Sequence, residues 1–193
     1  MNRRSFFCLG FLSAIATVSF LAEALANPEG NDSAVMDIEE RAVIDAFLHE
    51  LGADSVADVR IFVARRTMEV SSGKADYLRQ ELPDLQDEAF RDCVVRSRHP
   101  VRLMAALPDG RDMDYIDWDK RDRLFRNLDP TARTLASSVA IRFSRVGFSP
   151  DRTQAVFQLE QDCGMLCGTG VFIFMKREGI AWAVAGSVQI WIS

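Results

Sequence analysis

The spacing of apolar residues changes character along the chain and predicts helices first and strands afterwards. Apolar positions three and four apart predict one helical face in each of four segments: residues 34–51, 74–82, 84–98 and 119–128. Runs rich in β-branched residues predict short strands at 59–63 and 101–107. Pro83 separates the second helical segment from the third, because proline lacks the N–H that a helix interior needs.

From residue 137 the spacing becomes that of strands. Four strands are expected, around residues 139–148, 155–159, 171–175 and 180–192. The apolar set changes parity between Phe143 and Val146, which predicts a β-bulge near Ser144–Arg145 or a twist at Gly147. The predicted fold class is α+β, with N-terminal helices packed on a C-terminal four-stranded antiparallel meander.

The third of these strands is apolar at every position, which is typical of a central strand that is buried on both faces. Phe172 and Phe174 share the face turned away from the early helices, and Trp191 lies opposite to the core positions of its own strand. A second helix layer, a dimer partner or a ligand would each cover these rings. We expect a ligand or homodimer face here, with Arg145 and Gln154 as its polar groups.

The first residues form an export signal. Arg3 and Arg4 precede an apolar run, and Ala24 and Ala26 provide the small residues that a signal peptidase recognises. We therefore expect a signal peptide over residues 1–26, cleaved after Ala26, and an exported, periplasmic protein. The apolar run is shorter than the roughly 20 residues that span a bilayer, so no stable membrane span is expected after cleavage.

The export route and the domain organisation follow from the same region. The paired arginines before a phenylalanine pair suit the twin-arginine route, while the short start and strongly apolar middle suit the general secretory route equally. Residues 27–33 are polar, contain proline and glycine, and predict a mobile leader. The remaining residues, 34–193, suffice for a single α+β domain.

Two cysteines four residues apart, Cys163 and Cys167, lie in a glycine-rich loop between predicted strands. Outside the cytoplasm such a pair is expected to form a disulfide. A redox site would favour two intervening residues and a helix N-terminus, and a zinc site would need two further ligands. Cys93 is then left over and is expected to be a free, buried thiol.

Charge and motifs limit the function. The net charge of −5 and the absence of a basic patch interleaved with aromatic residues exclude nucleic acid as an expected partner. The acidic segment 109–119 does not follow the EF-hand pattern, so no metal and no cofactor are expected. The sequence favours a non-catalytic binding or interaction module with an unidentified ligand or protein partner. The alternative is a small periplasmic hydrolase with a cone-shaped pocket.

The C-terminal third carries a family resemblance. Its motifs are Ser144–Phe148 (SRVGF), Thr153–Ala155 (TQA), Cys163–Gly170 (CGMLCGTG) and the final Ile190–Ser193 (IWIS). Together they resemble a family of exported bacterial proteins whose activity is uncharacterised. The resemblance implies export, an antiparallel sheet and a bacterial source, and it transfers no catalytic residue. The order of helices and curved sheet is also similar to the cystatin-like and NTF2-like folds, by analogy alone.

Overall fold

A computed structural model describes the chain over six stretches: residues 34–54, 59–70, 72–105, 113–127, 138–164 and 167–193. The expected signal peptide (1–26) and leader (27–33) lie outside these residues. The described residues belong to one compact unit. Within them, no helix has both the length and the apolar character needed to cross a membrane.

The helices lie close to the predicted segments. In the described part of the chain they are α1 (Ile38–Asp54), α2 (Ala75–Glu81), α3 (Asp87–Ser97) and α4 (Arg121–Asn127), with 3-10 turns at Ser72–Lys74 and Trp118–Lys120. Pro83 lies between α2 and α3, as predicted. The start of α1 differs from the prediction because Asp37 caps it: Asp37 Oδ1 accepts hydrogen bonds from the backbone N–H groups of Glu39 and Glu40.

The strands of the described residues form one mixed sheet. They are β1 (Arg60–Ala64), β2 (Met113–Ile116), β3 (Ser138–Phe143), β4 (Gly147–Phe148), β5 (Gln154–Asp162), β6 (Gly168–Glu178) and β7 (Ala181–Ile192). Their order is β2-β1-β3-β5-β6-β7, with β4 beside β5. β1 runs parallel to both β2 and β3, and the other pairs are antiparallel.

This sheet confirms the α+β class and corrects the topology. The four-stranded meander is wrong for two reasons: β1 and β2 extend the sheet in parallel beyond β3, and the first predicted strand is divided into β3 and β4, which gives seven strands in the described residues. β1 matches a predicted strand, whereas β2 lies in the acidic segment 109–119, where no strand was predicted. The strand predicted at 101–107 is reduced, within its described residues, to isolated bridges at Arg102.

Helices cover both faces of the sheet. One face packs against α1 through a cluster that includes Val43, Ile44, Phe47, Leu48, Phe143, Phe157, Ile173 and Met175. The opposite face packs against α2 and α3 through Leu78, Leu82, Phe90, Val94, Val156, Phe172, Phe174 and Val188. Of the three coverings considered for Phe172 and Phe174, the second helix layer is therefore the one present. Both rings are buried, which corrects the expectation that they form an open ligand or dimer face.

Bulges interrupt the sheet at defined points. Phe143 pairs with Leu159 of β5, whereas Gly147 pairs with Val156, so one extra residue lies between β3 and β4. This confirms the bulge predicted near Ser144–Arg145. Two further register shifts in the β6–β7 pairing leave one extra residue of β7 at each shift, Ala185 and Ile190.

The backbones of α3 and β4 are in direct contact at Gly147. A Cβ atom at this position would overlap with the backbone nitrogen of Cys93 and the carbonyl oxygen of Ala89. Cys93 is the free, buried cysteine of the described residues, as predicted, and its Sγ donates to the Arg145 carbonyl oxygen over 3.3 Å. Burial raises the pKa of this thiol to about 11, so it stays protonated at neutral pH.

A buried carboxylate joins α1 to the bulge. Glu40 is fully buried. Its Oε1 accepts a hydrogen bond from Arg145 Nε (3.0 Å) and its Oε2 accepts one from Arg145 Nη2 (2.6 Å). The backbone N–H of Val146 also donates to Oε1 over 3.0 Å, and Arg96 Nη2 of α3 lies 3.4 Å from Oε2. The carboxylate is thus saturated with partners from three parts of the fold.

Asp37 adds a charged contact at the edge of this network, because its Oδ2 accepts a hydrogen bond from Arg96. Burial acts to raise the pKa of Asp37. The backbone hydrogen bond from Glu40, the charge of Arg96 and the hydrogen bond from Arg96 outweigh that effect and hold the pKa below its usual range.

We expect Asp37→Asn to lower the free energy of unfolding by ~1 kcal/mol near neutral pH, because asparagine still caps α1 but carries no charge for Arg96. Since the folded-state pKa is lowered, the stabilisation by the carboxylate is complete above its unfolded pKa of about 3.9. It is lost as the pH falls through the folded-state value. Urea denaturation of both proteins should therefore show a difference that shrinks towards about pH 2.

Asp84→Asn is the matched control, because the Asp84 carboxylate is 76% exposed and contacts only Lys176 among the described ion pairs. Its effect is expected to stay within about 0.5 kcal/mol across the same pH range. A difference between wild type and Asp37→Asn that stays constant down to about pH 2 would contradict the assignment.

Candidate functional site

The register of the sheet places a row of side chains on one face, beyond the edge of the α2–α3 layer. Cross-strand pairing links β3 to β5, β5 to β6 and β6 to β7 through Arg142, Glu160, Gly170 and Trp191 in turn. Because directly paired residues point to the same face, the four positions form a line across the strands. Arg142 Nε donates to Glu160 Oε2 over 2.6 Å, and Gln158 Nε2 donates to Glu160 Oε1 over 3.0 Å.

Trp118 and Arg121, from the 3-10 turn and the start of α4, lie over this row. The guanidinium carbon of Arg142 is 4.5 Å from the centre of the Trp118 ring, and that of Arg121 is 4.8 Å from it. Such distances are typical of cation–π contacts. The space enclosed with Trp191 is a cavity of about 330 Å³, which we name the tryptophan cavity. It is lined by Trp118 and Trp191, Arg121 and Arg142, and Glu160 and Asp162.

Asp162 connects the cavity to the cysteine loop. Its Oδ2 accepts a hydrogen bond from Arg121 Nε (2.9 Å), and its Oδ1 accepts one from the backbone N–H of Gly164 (2.9 Å). Cys163 and Cys167 form the expected disulfide, with Cα atoms 5.2 Å apart. The disulfide closes the loop that begins at Asp162, so it restricts the position of a carboxylate that lines the cavity.

Trp191 lies flat across two glycines of β6. A Cβ atom at Gly170 would overlap with the five-membered ring of Trp191, and a Cβ atom at Gly168 would lie 3.0 Å from Cζ3 of its six-membered ring. The indole therefore rests on bare backbone along the strand. One ring face contacts the sheet and the side chain remains 38% exposed. This explains why the cysteine motif continues with glycines: larger residues would displace the ring.

A second cavity, of about 530 Å³, shares Trp118 and Arg142 with the tryptophan cavity. Arg65 and Asp117 line it, and each follows directly after one of the parallel strands β1 and β2. Arg65 Nε is 3.6 Å from Asp117 Oδ1. Clefts outside the carboxyl ends of parallel strands are common ligand sites in α/β sheets. Trp118 and Arg142 thus form a wall between two open cavities.

The structure separates the residues predicted to form the ligand face. Trp191 lines the tryptophan cavity, whereas Phe172 and Phe174 lie in the core under α2 and α3. Arg145 is bound to Glu40. Gln154 accepts a hydrogen bond from the backbone N–H of Gln86, before α3, and donates one to the carbonyl oxygen of Asp84. Arg145 and Gln154 therefore have structural contacts and do not line the tryptophan cavity.

Sequence reasoning missed most of this site. The sequence patterns did not single out Trp118 or Arg142 as site residues. Glu160 and Asp162 are two residues apart on β5, and this spacing is the signal in the sequence that they share a face. Among the described residues, no group of three or more His, Cys, Asp or Glu side chains is arranged to hold a metal ion.

Fold and cavity together define a class: an α+β protein whose mixed sheet carries helices on both faces and an open cavity between two tryptophans. No model of a known family matches the chain, and neither a curated protein nor a solved structure matches it. The resemblance to exported bacterial proteins and the analogy to cystatin-like and NTF2-like folds therefore stay predictions.

Proposed function

We propose that this protein is an exported, non-catalytic binding module, which holds a neutral, hydroxyl-rich ligand of one or two sugar rings in the tryptophan cavity. The observation that carries the proposal is the open indole of Trp191 beside two arginine–carboxylate pairs. A sugar ring has an apolar C–H face that packs on an aromatic ring, and a rim of hydroxyl groups that both donate and accept hydrogen bonds.

The charge balance of the cavity favours a neutral ligand. Arg121 is paired with Asp162 and Arg142 with Glu160, at 2.9 Å and 2.5 Å. Among the side chains of the described lining residues, two positive charges balance two negative ones, so these side chains provide no net charge to attract an ion. Each pair nevertheless presents donors and acceptors side by side, since a guanidinium has five N–H groups and a carboxylate about four lone-pair sites. Neighbouring hydroxyl groups of a sugar match this arrangement.

The size of the cavity agrees with a small ligand. About 330 Å³ lies at the lower end of the range for ligand sites, roughly 300–1,000 Å³. Trp118 carries the two guanidinium groups on its ring, so it positions the arginines. Trp191, which rests on glycine backbone, is the ring left open for stacking.

Export is the second part of the proposal. Its support is the residue pattern at the start of the chain together with the disulfide between Cys163 and Cys167, since disulfides persist in oxidising compartments. The alternative function, a small hydrolase, gains no support from the tryptophan cavity. Glu160 and Asp162 are each hydrogen-bonded to an arginine. Arginine stays protonated in proteins, so it cannot exchange a proton with either carboxylate during a reaction.

Replacing Trp191 by alanine is expected to weaken ligand binding by about tenfold or more, because the stacking surface is lost. The probes are neutral disaccharides (cellobiose, maltose and N,N′-diacetylchitobiose) titrated at millimolar concentration by isothermal calorimetry. Gly170→Ala should weaken binding similarly while retaining Trp191, because the added methyl group displaces the indole.

Tyr77→Ala is the matched control, since Tyr77 is an aromatic residue 41% exposed on α2, outside the tryptophan cavity. It should bind as the wild type does. If no disaccharide binds the wild type, the proposed ligand class is wrong. If a disaccharide binds Trp191→Ala and Gly170→Ala as tightly as the wild type, the proposed site is wrong.

A further inference from the structure

A third cavity, of about 340 Å³, brings together three arginines from separate parts of the chain. Arg41 lies in α1, and Arg65 follows β1. Arg102 lies after α3, in a segment that forms a parallel bridge with Val35. Tyr115 of β2 completes the wall. We name this group of Arg41, Arg65, Arg102 and Tyr115 the arginine pocket.

The described residues of the arginine pocket carry an excess of positive charge. Among the described residues no acidic side chain lines it. At its margin, Arg41 Nε is 3.4 Å from Asp45 Oδ2 and Arg65 Nε is 3.6 Å from Asp117 Oδ1. No described residue forms an ion pair with the Arg102 side chain. In the described part of the chain, three arginines therefore line the pocket and two carboxylates lie at its margin, in a protein whose net charge is −5.

The three arginines line the same cavity as Tyr115. Burial and the charge of Asp45 raise the pKa of Tyr115, and the charges of Arg41, Arg65 and Arg102 each oppose that rise. The guanidinium carbon of Arg65 is 5.8 Å from the centre of the Tyr115 ring. Like charges gathered around one side chain repel each other, so the arrangement costs stability in the free protein. An anion in the cavity would remove that cost.

We infer that the arginine pocket binds a small organic molecule through its phosphate or carboxylate group, at a site separate from the tryptophan cavity. Planar guanidinium groups suit these anions, because two parallel N–H donors match two anionic oxygens. The other side of the cavity is formed by Leu103, Met104 and Ala105, and Met104 is 42% exposed. This apolar side would contact the uncharged part of the ligand.

The test is a titration of the protein, purified after export, with inorganic phosphate and with phenyl phosphate at constant ionic strength, followed by NMR of backbone and arginine side-chain signals. Arg102→Ala is the informative variant, because this side chain is exposed and forms no ion pair in the described part of the fold, so we expect its removal to leave the fold unchanged. We expect saturable binding in the wild type, tighter for phenyl phosphate, and about tenfold or more weaker in Arg102→Ala.

Arg123→Ala is the matched control, since it removes the same charge from an exposed position on α4. It should bind both probes as the wild type does. Equal weakening in both variants, or no saturation in the wild type, would overturn the inference. The inference also fails if phosphatidylglycerol vesicles bind in an Arg102-dependent manner while the soluble phosphates do not, because the surface would then recognise a membrane.

Discussion

Gly147→Ala is expected to lower the free energy of unfolding by about 3 kcal/mol, at the upper end of the cost of overpacking. The added Cβ atom would overlap with backbone atoms of Cys93 and Ala89 in α3, and backbone atoms cannot rotate away as a side chain can. Helix α3 would have to move off β4, which separates Phe90 from Phe172 in the second core cluster. Urea denaturation monitored by circular dichroism measures this loss, and the melting temperature should fall by about 10 °C.

Gly186→Ala is the matched control, because it adds the same methyl group to the sheet face that packs on α2. There the Cβ atom would lie 3.0 Å from Cδ2 of Leu82, the flexible end of a side chain that can rotate. We expect a change of about 1 kcal/mol or less. If both variants lose the same free energy of unfolding, the close backbone contact between α3 and Gly147 is contradicted.

Glu40→Met is expected to lower the free energy of unfolding by about 4 kcal/mol, in the range for breaking a buried ion pair. The substitution leaves Arg145 half-buried without its carboxylate and removes the acceptor for the backbone N–H of Val146. The cost arises mainly from the unpaired groups that remain. Chemical denaturation of the purified variant gives the value directly.

Two further variants isolate the charge pair. Glu39→Gln removes a carboxylate next along the helix, whose contacts with Arg152 and Arg177 are partly exposed, and should cost less than about 1 kcal/mol. The double variant Glu40→Met with Arg145→Met removes the unpaired charge as well, and should recover about 1 kcal/mol or more relative to Glu40→Met alone. A double variant no more stable than the single one would contradict the view that the unpaired arginine causes the loss.

Local patterns predicted the elements well. The apolar face of α1 and the break at Pro83 follow from helical spacing and from backbone chemistry, which act within a few residues. The bulge between β3 and β4 follows from a parity change between Phe143 and Val146, which any strand must resolve locally. Each of these features depends on neighbours in the sequence, so a single sequence is enough to find it.

Pairing between strands that are distant in the sequence could not be predicted from local patterns. The line from Arg142 through Glu160 and Gly170 to Trp191 exists only because four strands meet in one register. Likewise β1 lies between β2 and β3, which follow it by about fifty residues or more, and no local period encodes such a neighbour. The tryptophan cavity could therefore not be assembled from the sequence, although Trp191 was singled out.

The element that covers Phe172 and Phe174 was predicted only in part. The sequence left a helix layer, a dimer partner and a ligand open, and the apolar faces of α2 and α3 held the information needed to choose. Leu78 and Leu82 are one helical turn apart, as are Phe90 and Val94, and both pairs pack on these rings. When a sequence contains two early amphipathic helices and a strand that is apolar on both faces, this combination indicates that helices cover both faces of the sheet.

The two extra residues in β7 have a consequence for behaviour at high concentration. Among the described strands, β7 is a long strand at the edge of the sheet, and an open edge presents N–H and C=O groups that pair readily with strands of other molecules. Ala185 and Ile190 interrupt the regular spacing of those groups at two points, so an incoming strand can match only short stretches between them. The irregularities of β7 thus protect the chain against edge-to-edge aggregation.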